Sequence, residues 1–346
     1  MIVRAWRHAL MIASLWVATP LAAAEPRPLF AEDSIIHLEI RGPFRGILRG
    51  DEDPVAAALT LKSKIPETHA IRLSPRGITR RRRDICTFPP LRLEFSTKPG
   101  AVSLFYGQKR LKLVTHCRPT AAFQQYVLLE YAAYRLFNII TPFSFRTRLA
   151  QIDYIGEDGK LQASRRGFFI EDIDDVAWRN QAREASVGDG VATARLSPAD
   201  AATFAIFQYM IGNLDWSMNR GPEGQGCCHN SRLITPADAN GPLIPVPYDF
   251  DFSGLVDAPY AVPPNSINLP NVRVRRYRGY CRHNAEALAA IDRIRSRQMQ
   301  LQATLAAIDG LDPARRRRAS AYLDEFFRIV ATKDGGSTRL LKTCLR

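Results

Sequence analysis

Apolar residues recur at two different periods along this chain, and the switches between them mark its elements. Ile35-Ile36-His37-Leu38-Glu39-Ile40 alternates as a strand does, and Gly42-Pro43 ends it. Leu91-Arg92-Leu93-Glu94-Phe95 alternates too; after a break at Lys98-Pro99-Gly100, the stretch from Leu111 to Thr115 reads as a second strand, so a hairpin is predicted. From Thr120 to Ile140 there is no proline or glycine, and Phe123, Tyr126, Val127, Leu129, Tyr131, Ala133, Tyr134, Leu136 and Phe137 fall at helical spacing. Strands return at Arg146 to Ile155 and Arg166 to Ile170, on either side of the Gly156-Glu157-Asp158-Gly159 turn. Arg179 to Arg195, polar and with two glycines, reads as a mobile linker. Ser197-Pro198-Ala199-Asp200 then opens a helix that runs to Gly212. Ser231 to Ile234 and Val246 to Tyr248 are short strands, Leu255 to Gly279 is loop, and Asn284 to Ile308 and Pro313 to Val330 are amphipathic helices.

Composition adds a compartment and a charge. With 346 residues, 46% of them hydrophobic, the chain can bury a substantial core. Arg4, Arg7 and His8, a short apolar run from Ala9 to Val17 and the small residues Ala22-Ala23-Ala24 have the order of a secretory leader. Residues 1–24 are therefore expected to be removed, leaving an exported protein, periplasmic or extracellular, with no integral membrane span. Six cysteines, Cys86, Cys117, Cys227, Cys228, Cys281 and Cys344, all follow the leader; an even count in an oxidising compartment favours disulfides. Cys86 and Cys117 each adjoin a strand of the first hairpin and are the expected pair; the pairing of the other four stays open. The formal charge is +14, and the chain stays strongly basic without the two leader arginines. That favours anionic partners such as nucleotides, acidic proteins or envelope glycans. The runs Arg80-Arg81-Arg82-Arg83 and Arg315-Arg316-Arg317-Arg318 read as solvated faces, and no nucleic-acid module surrounds them, so no nucleic-acid partner is expected.

Two stretches carry candidate chemistry. Asn213-Leu214-Asp215-Trp216-Ser217-Met218-Asn219 follows the helix that ends at Gly212, and Pro247-Tyr248-Asp249-Phe250-Asp251-Phe252-Ser253-Gly254 follows a short strand. Both place carboxylates where ordered backbone meets solvent. Upstream, Lys112 sits within a strand, and Glu130 is the one acid of the 120–140 helix. A lone acid in an apolar helix either faces solvent or needs a cation, and Lys112 is the expected partner. Strand lysine, helix glutamate, an Asp/Asn loop, a strand and an Asp turn follow one another as the parts of a phosphoryl-transfer site do. Lys112 would face nucleotide phosphates and Asp215 would receive or orient the proton of an attacking hydroxyl. Asp249 and Asp251, two apart and so on opposite faces of extended backbone, compete for a divalent ion, with Asn219 or Asn230 as the amide ligand. Glu171, after the strand ending at Ile170, marks a hinge whose backbone would meet a nucleobase.

On Leu111-Lys112-Leu113-Val114, Glu130, Phe168-Phe169-Ile170-Glu171, Asn213-Leu214-Asp215-Trp216 and Pro247-Tyr248-Asp249-Phe250-Asp251, the chain resembles the CotH-type branch of atypical protein kinases and, more distantly, the HipA-like and lipid-kinase-like group. The resemblance spans about 71–260. It implies an α+β, two-lobed protein kinase-like fold, with a small antiparallel-sheet N-lobe and a mainly helical C-lobe. The expected division is a leader at 1–24, an extension at 25–70, the N-lobe at 71–175 and the C-lobe at 176–346. It also implies ATP with Mg2+ or Mn2+, and transfer to a hydroxyl of a protein or of an anionic envelope acceptor. No Gly-x-Gly-x-x-Gly loop precedes Lys112, and Asn213-Leu214-Asp215 stands where such kinases carry His-Arg-Asp. A catalytically silent kinase-like binding protein, and a carboxylate-dependent hydrolase of an anionic polymer, are the competing functions.

Overall fold

The structure, a computed structural model, describes residues 24–237, 241–332 and 338–346, so the expected leader lies outside the described residues but for Ala24. Seven strands come first: β1 (Ile36–Arg41), β2 (Val55–Leu61), β3 (Glu67–Pro75), β4 (Leu91–Phe95), β5 (Arg110–Val114), β6 (Thr147–Ile155) and β7 (Leu161–Ile170). They close into a barrel in the order β1-β2-β3-β4-β5-β7-β6. Every pairing is antiparallel except the one that closes it, where β1 lies parallel to β6 from Ile36 opposite Ala150 to Arg41 opposite Ile155.

This corrects the expected small antiparallel sheet. Residues 25–70 are no extension to the sheet either, because β1, β2 and the start of β3 are barrel staves. The physical reason is that a parallel pairing between distant segments needs no local turn and leaves no turn signature. Both expected hairpins are present, β4 with β5 and β6 with β7.

Period-two side chains fill the barrel: Leu38, Ile40, Leu73, Leu93, Leu113, Ile152 and Phe169 belong to one buried cluster. The flanking Phe168 and Ile170 point the other way and join the second core. That core is built on α3 (Ala121–Ile140), whose residues from Val127 to Ala133 are all buried. Two short helices, α1 (Pro28–Ala31) and α2 (Phe44–Arg49), flank β1.

Past the barrel come α4 (Ile173–Arg179), β8 (Ala182–Glu184), α5 (Pro198–Ile211), β9 (Ser231–Pro236) and β10 (Ile244–Pro247). The expected linker at 179–195 thus contains β8, which pairs with β9 in a three-stranded sheet. Helices α6 (Asn284–Ser296), α7 (Gln298–Ala306), α8 (Pro313–Ile329) and α9 (Thr338–Leu341) complete the helical part. The single helix expected over 284–308 is broken at Arg297.

Cys86 is bonded to Cys117 as expected, Cys281 to Cys344, and Cys227 to its neighbour Cys228. Among the described residues, no helix is long and apolar enough to cross a membrane.

Candidate active site

Two glycines bring the two acidic stretches together. Gly212 ends α5 in the left-handed region at φ 67°, and a Cβ there would collide with the Tyr322 hydroxyl. Its carbonyl accepts the Gly254 N–H at 3.0 Å, which ties the loop after α5 to the turn after β10. Asn213 then accepts the Asp215 N–H on its own side-chain oxygen at 3.0 Å, and Arg278 braces the loop through the carbonyls of Leu214 and Trp216. Pairing of β9 with β10 sets Asn230 beside Tyr248, whose N–H donates to the Asn230 carbonyl at 3.1 Å.

Asp215 is held from two sides. His229 Nε2 lies 2.7 Å from Asp215 Oδ1, and the Asn230 amide donates to Asp215 Oδ2 at 2.9 Å and to its carbonyl at 2.7 Å. The hydrogen bond that His229 donates to Asp215 raises the His229 pKa against the effect of burial, and the charges of Asp215 and Asp249 add to it. Asn230 therefore positions Asp215. Asn219, the other amide candidate, accepts from the Ser217 hydroxyl at 3.2 Å and does not line the cleft.

Asp249 and Asp251 converge, which corrects the expectation that they face apart. The expectation assumed extended backbone, but Asp249 has φ 62°, a left-handed conformation that aspartate tolerates better than most residues. The turn it starts buries Phe250 and aims both carboxylates at one guanidinium. Asp249 N–H is fixed on the Tyr134 hydroxyl of α3 at 2.9 Å.

That guanidinium belongs to Arg80, not to Lys112. Arg80 Nη1 and Nη2 donate to the two oxygens of Glu130 at 2.8 and 3.2 Å; Nη2 also reaches Asp249 Oδ1 at 2.9 Å, and Nε lies 3.3 Å from Asp251 Oδ2. Burial disfavours the Arg80 charge, but Asp251 and Glu130, with Tyr260 and Asp249, outweigh it and hold its pKa well above the usual arginine value. Burial likewise raises Glu130 and Asp251 above ordinary carboxylates, while Arg80 pulls both back. Arg80 stands on a single helical turn, Thr79–Arg81, directly after β3, and Arg81, Arg82 and Arg83 are exposed. Three members of the run behave as a solvated face and the fourth is the centre of the site. The signal that could have found it was three carboxylates in want of a buried cation, with an arginine just beyond a strand end.

Lys112 is displaced from its expected role for a plain reason: a two-armed guanidinium satisfies a buried carboxylate better than a point charge does. Its ammonium lies 5.9 Å from the centre of the Phe145 ring. Burial lowers its pKa to about 8; Asp172 opposes this, and Arg76, Arg232 and Arg110 add to it. Lys112 does not line the cleft, although two of the charges it feels, Arg76 and Arg232, do. Glu171 is also elsewhere: it is fully buried, pairs with Arg179 at 3.0 Å and accepts the Arg146 N–H at 2.9 Å. Its own N–H goes to the Arg146 carbonyl at 3.0 Å. Glu171 fastens the hinge and leaves neither its side chain nor its N–H for a ligand.

A cleft of about 440 Å³ opens over these groups, lined by Arg76, Arg80, Asp215, Arg232, Asp249 and Asp251 among others. Carboxylate oxygens of Glu130, Asp249 and Asp251 all lie within 4.8 Å of one another. Hard oxygen donors suit magnesium or manganese. Arg80 engages both oxygens of Glu130 but one of each aspartate's, which leaves Asp249 and Asp251 the better placed of the three to share an ion.

No family model and no curated protein matches the chain. Among solved structures, the Helicobacter pylori proinflammatory kinase CtkA is similar at 12% identity and a TM-score of 0.41, over 73% of this chain and 94% of that one. The CotH-type resemblance finds no support in these comparisons.

Proposed function

We propose that this chain is a kinase-like phosphotransferase that binds ATP in the cleft and passes a phosphoryl group to a hydroxyl. The observation that carries the reading is the meeting, in one cleft, of a doubly held Asp215, two converging aspartates and the guanidiniums of Arg76, Arg80 and Arg232. Phosphoryl transfer asks for little more than positioning and charge. Arg76 and Arg80 supply positive charge beside the phosphates. Asp215, kept in place by His229 and Asn230, orients the acceptor hydroxyl and takes its proton. Asp249 and Asp251 would hold Mg2+ or Mn2+, which when bound neutralises charge on the phosphates. Arg80, anchored on Glu130, takes the role expected of Lys112.

A leader-like start and paired cysteines support export, with an envelope or protein hydroxyl as acceptor. A CotH-type kinase is the family that this reading fits. A second reading rests on the Arg80 contacts: a guanidinium that already bridges all three carboxylates neutralises much of the site without an ion, as a silent binding platform would.

The two separate on Asp215→Asn. For a transferase, loss of the γ-phosphate from ATP falls by about a hundredfold or more while nucleotide binding stays within about twofold. Nucleotide binding with no turnover in the wild-type protein would leave the platform reading in place.

A further inference from the structure

A second cavity, of about 510 Å³, lies where α3 ends and the chain turns into β6, away from every residue of the cleft. Arg135, Arg146, Arg179 and Arg297 all line it. Two of the four are answered by carboxylates. Arg135 pairs with Asp33, and Arg179 pairs with Glu171. Arg146 and Arg297 have no carboxylate within ion-pair distance among the described residues. The Arg146 side chain donates to the Phe30 carbonyl at 3.3 Å, and Arg297 Nη1 caps α3 through the carbonyls of Ile139 and Ile140, the latter at 2.9 Å.

Helix capping accounts for Arg297 Nη1, since cations suit a helix C-terminus. It does not account for Arg146, nor for two buried polar atoms in the same wall. Thr147, 2% exposed, has a hydroxyl without a hydrogen-bond partner, and so does the Nε of Arg135. A buried polar atom left unpaired is costly, and such atoms commonly await a ligand or water. Burial and the closeness of Arg179 lower the Arg146 pKa, while Glu171, Asp33 and Glu25 oppose the shift.

We infer that this cavity is a second, anion-binding site for a phosphate group, free or carried on a small phosphomonoester, gripped by Arg146 and Arg297 with the Thr147 hydroxyl. Guanidinium forks match phosphate oxygens two at a time, and a hydroxyl completes the shell. The cavity has room for more than a bare phosphate. The inference does not depend on the proposed chemistry of the cleft.

The test titrates the full chain calorimetrically with inorganic phosphate and with glycerol 3-phosphate, at constant ionic strength set by chloride, with succinate as the dicarboxylate control. The expected result is saturable binding of a phosphate-bearing probe, weakened at least tenfold by Arg146→Gln and by Arg297→Gln and unchanged in Asp249→Asn. Tighter binding of glycerol 3-phosphate than of phosphate would assign the site to a phosphomonoester, and the reverse to free phosphate. Arg297→Gln also removes a helix cap, so Arg146→Gln and Thr147→Val carry the test if that variant does not fold. No binding above the chloride background, equal binding of succinate, binding that survives Arg146→Gln, or loss in Asp249→Asn would each overturn the inference.

Discussion

Helix α3 carries a charge cluster at its middle and another at its end, and the two are unbalanced in opposite senses. At Glu130 one guanidinium, that of Arg80, is shared among three carboxylates. Near the C-terminus of the helix four guanidiniums face a cavity where two have carboxylate partners. Both sets use the same residue types. The difference teaches that the ratio of charges, not their presence, decides what a cluster is suited to: an excess of carboxylates favours a cation and an excess of guanidiniums an anion.

The sharpest way to break the comparison is to remove the cation of the acidic cluster. Arg80→Ala leaves Glu130 and Asp251 buried without a cation, and the expected loss is about 3–5 kcal/mol of stability, read as a fall in denaturation midpoint. A loss no larger than that of a surface arginine would mean the three carboxylates are protonated or hydrated and that Arg80 does not organise the site.

A smaller effect belongs to Lys112, the cation the cluster does not use. Its folded pKa of about 8 lies below the ordinary 10.5. Between those values the folded state binds fewer protons than the unfolded one, so the cost of burying Lys112 is full below pH 8 and fades as pH rises towards 10.5. Lys112→Met is therefore expected to be more stable than the wild type at pH 7, by on the order of 1–2 kcal/mol given partial access to solvent, with the advantage shrinking by pH 10. Paired melts across that range check it; an advantage that grows with pH would contradict the assignment.

Local periodicity made much of this fold legible. The alternation in Leu91–Phe95, the strand-like run from Arg166 to Ile170 and the helical spacing from Thr120 to Ile140 became β4, the buried end of β7 and α3. Closure of the barrel was not legible, since β1 meets β6 across more than a hundred residues and no turn announces it. At the site, Asp215, Asp249, Asp251 and Asn230 were readable as side chains at element ends. The convergence of Asp249 and Asp251 was not, because it hangs on one left-handed backbone angle. Arg80 was hidden in a run of four arginines whose other members are exposed, and burial of one charge among four is decided by tertiary contacts alone.

The central claim is that the acid-rich cleft receives a nucleotide together with a divalent cation, and a melting experiment on the oxidised, leader-free protein tests it most directly. With ATP and Mg2+ or Mn2+ at a hundredfold excess over the dissociation constant, the account predicts stabilisation of about 2.7 kcal/mol. The shift should require the metal and vanish in Asp249→Asn, which keeps a residue tolerant of the left-handed turn. No shift with any nucleotide, or one of equal size without metal and in Asp249→Asn, would contradict it.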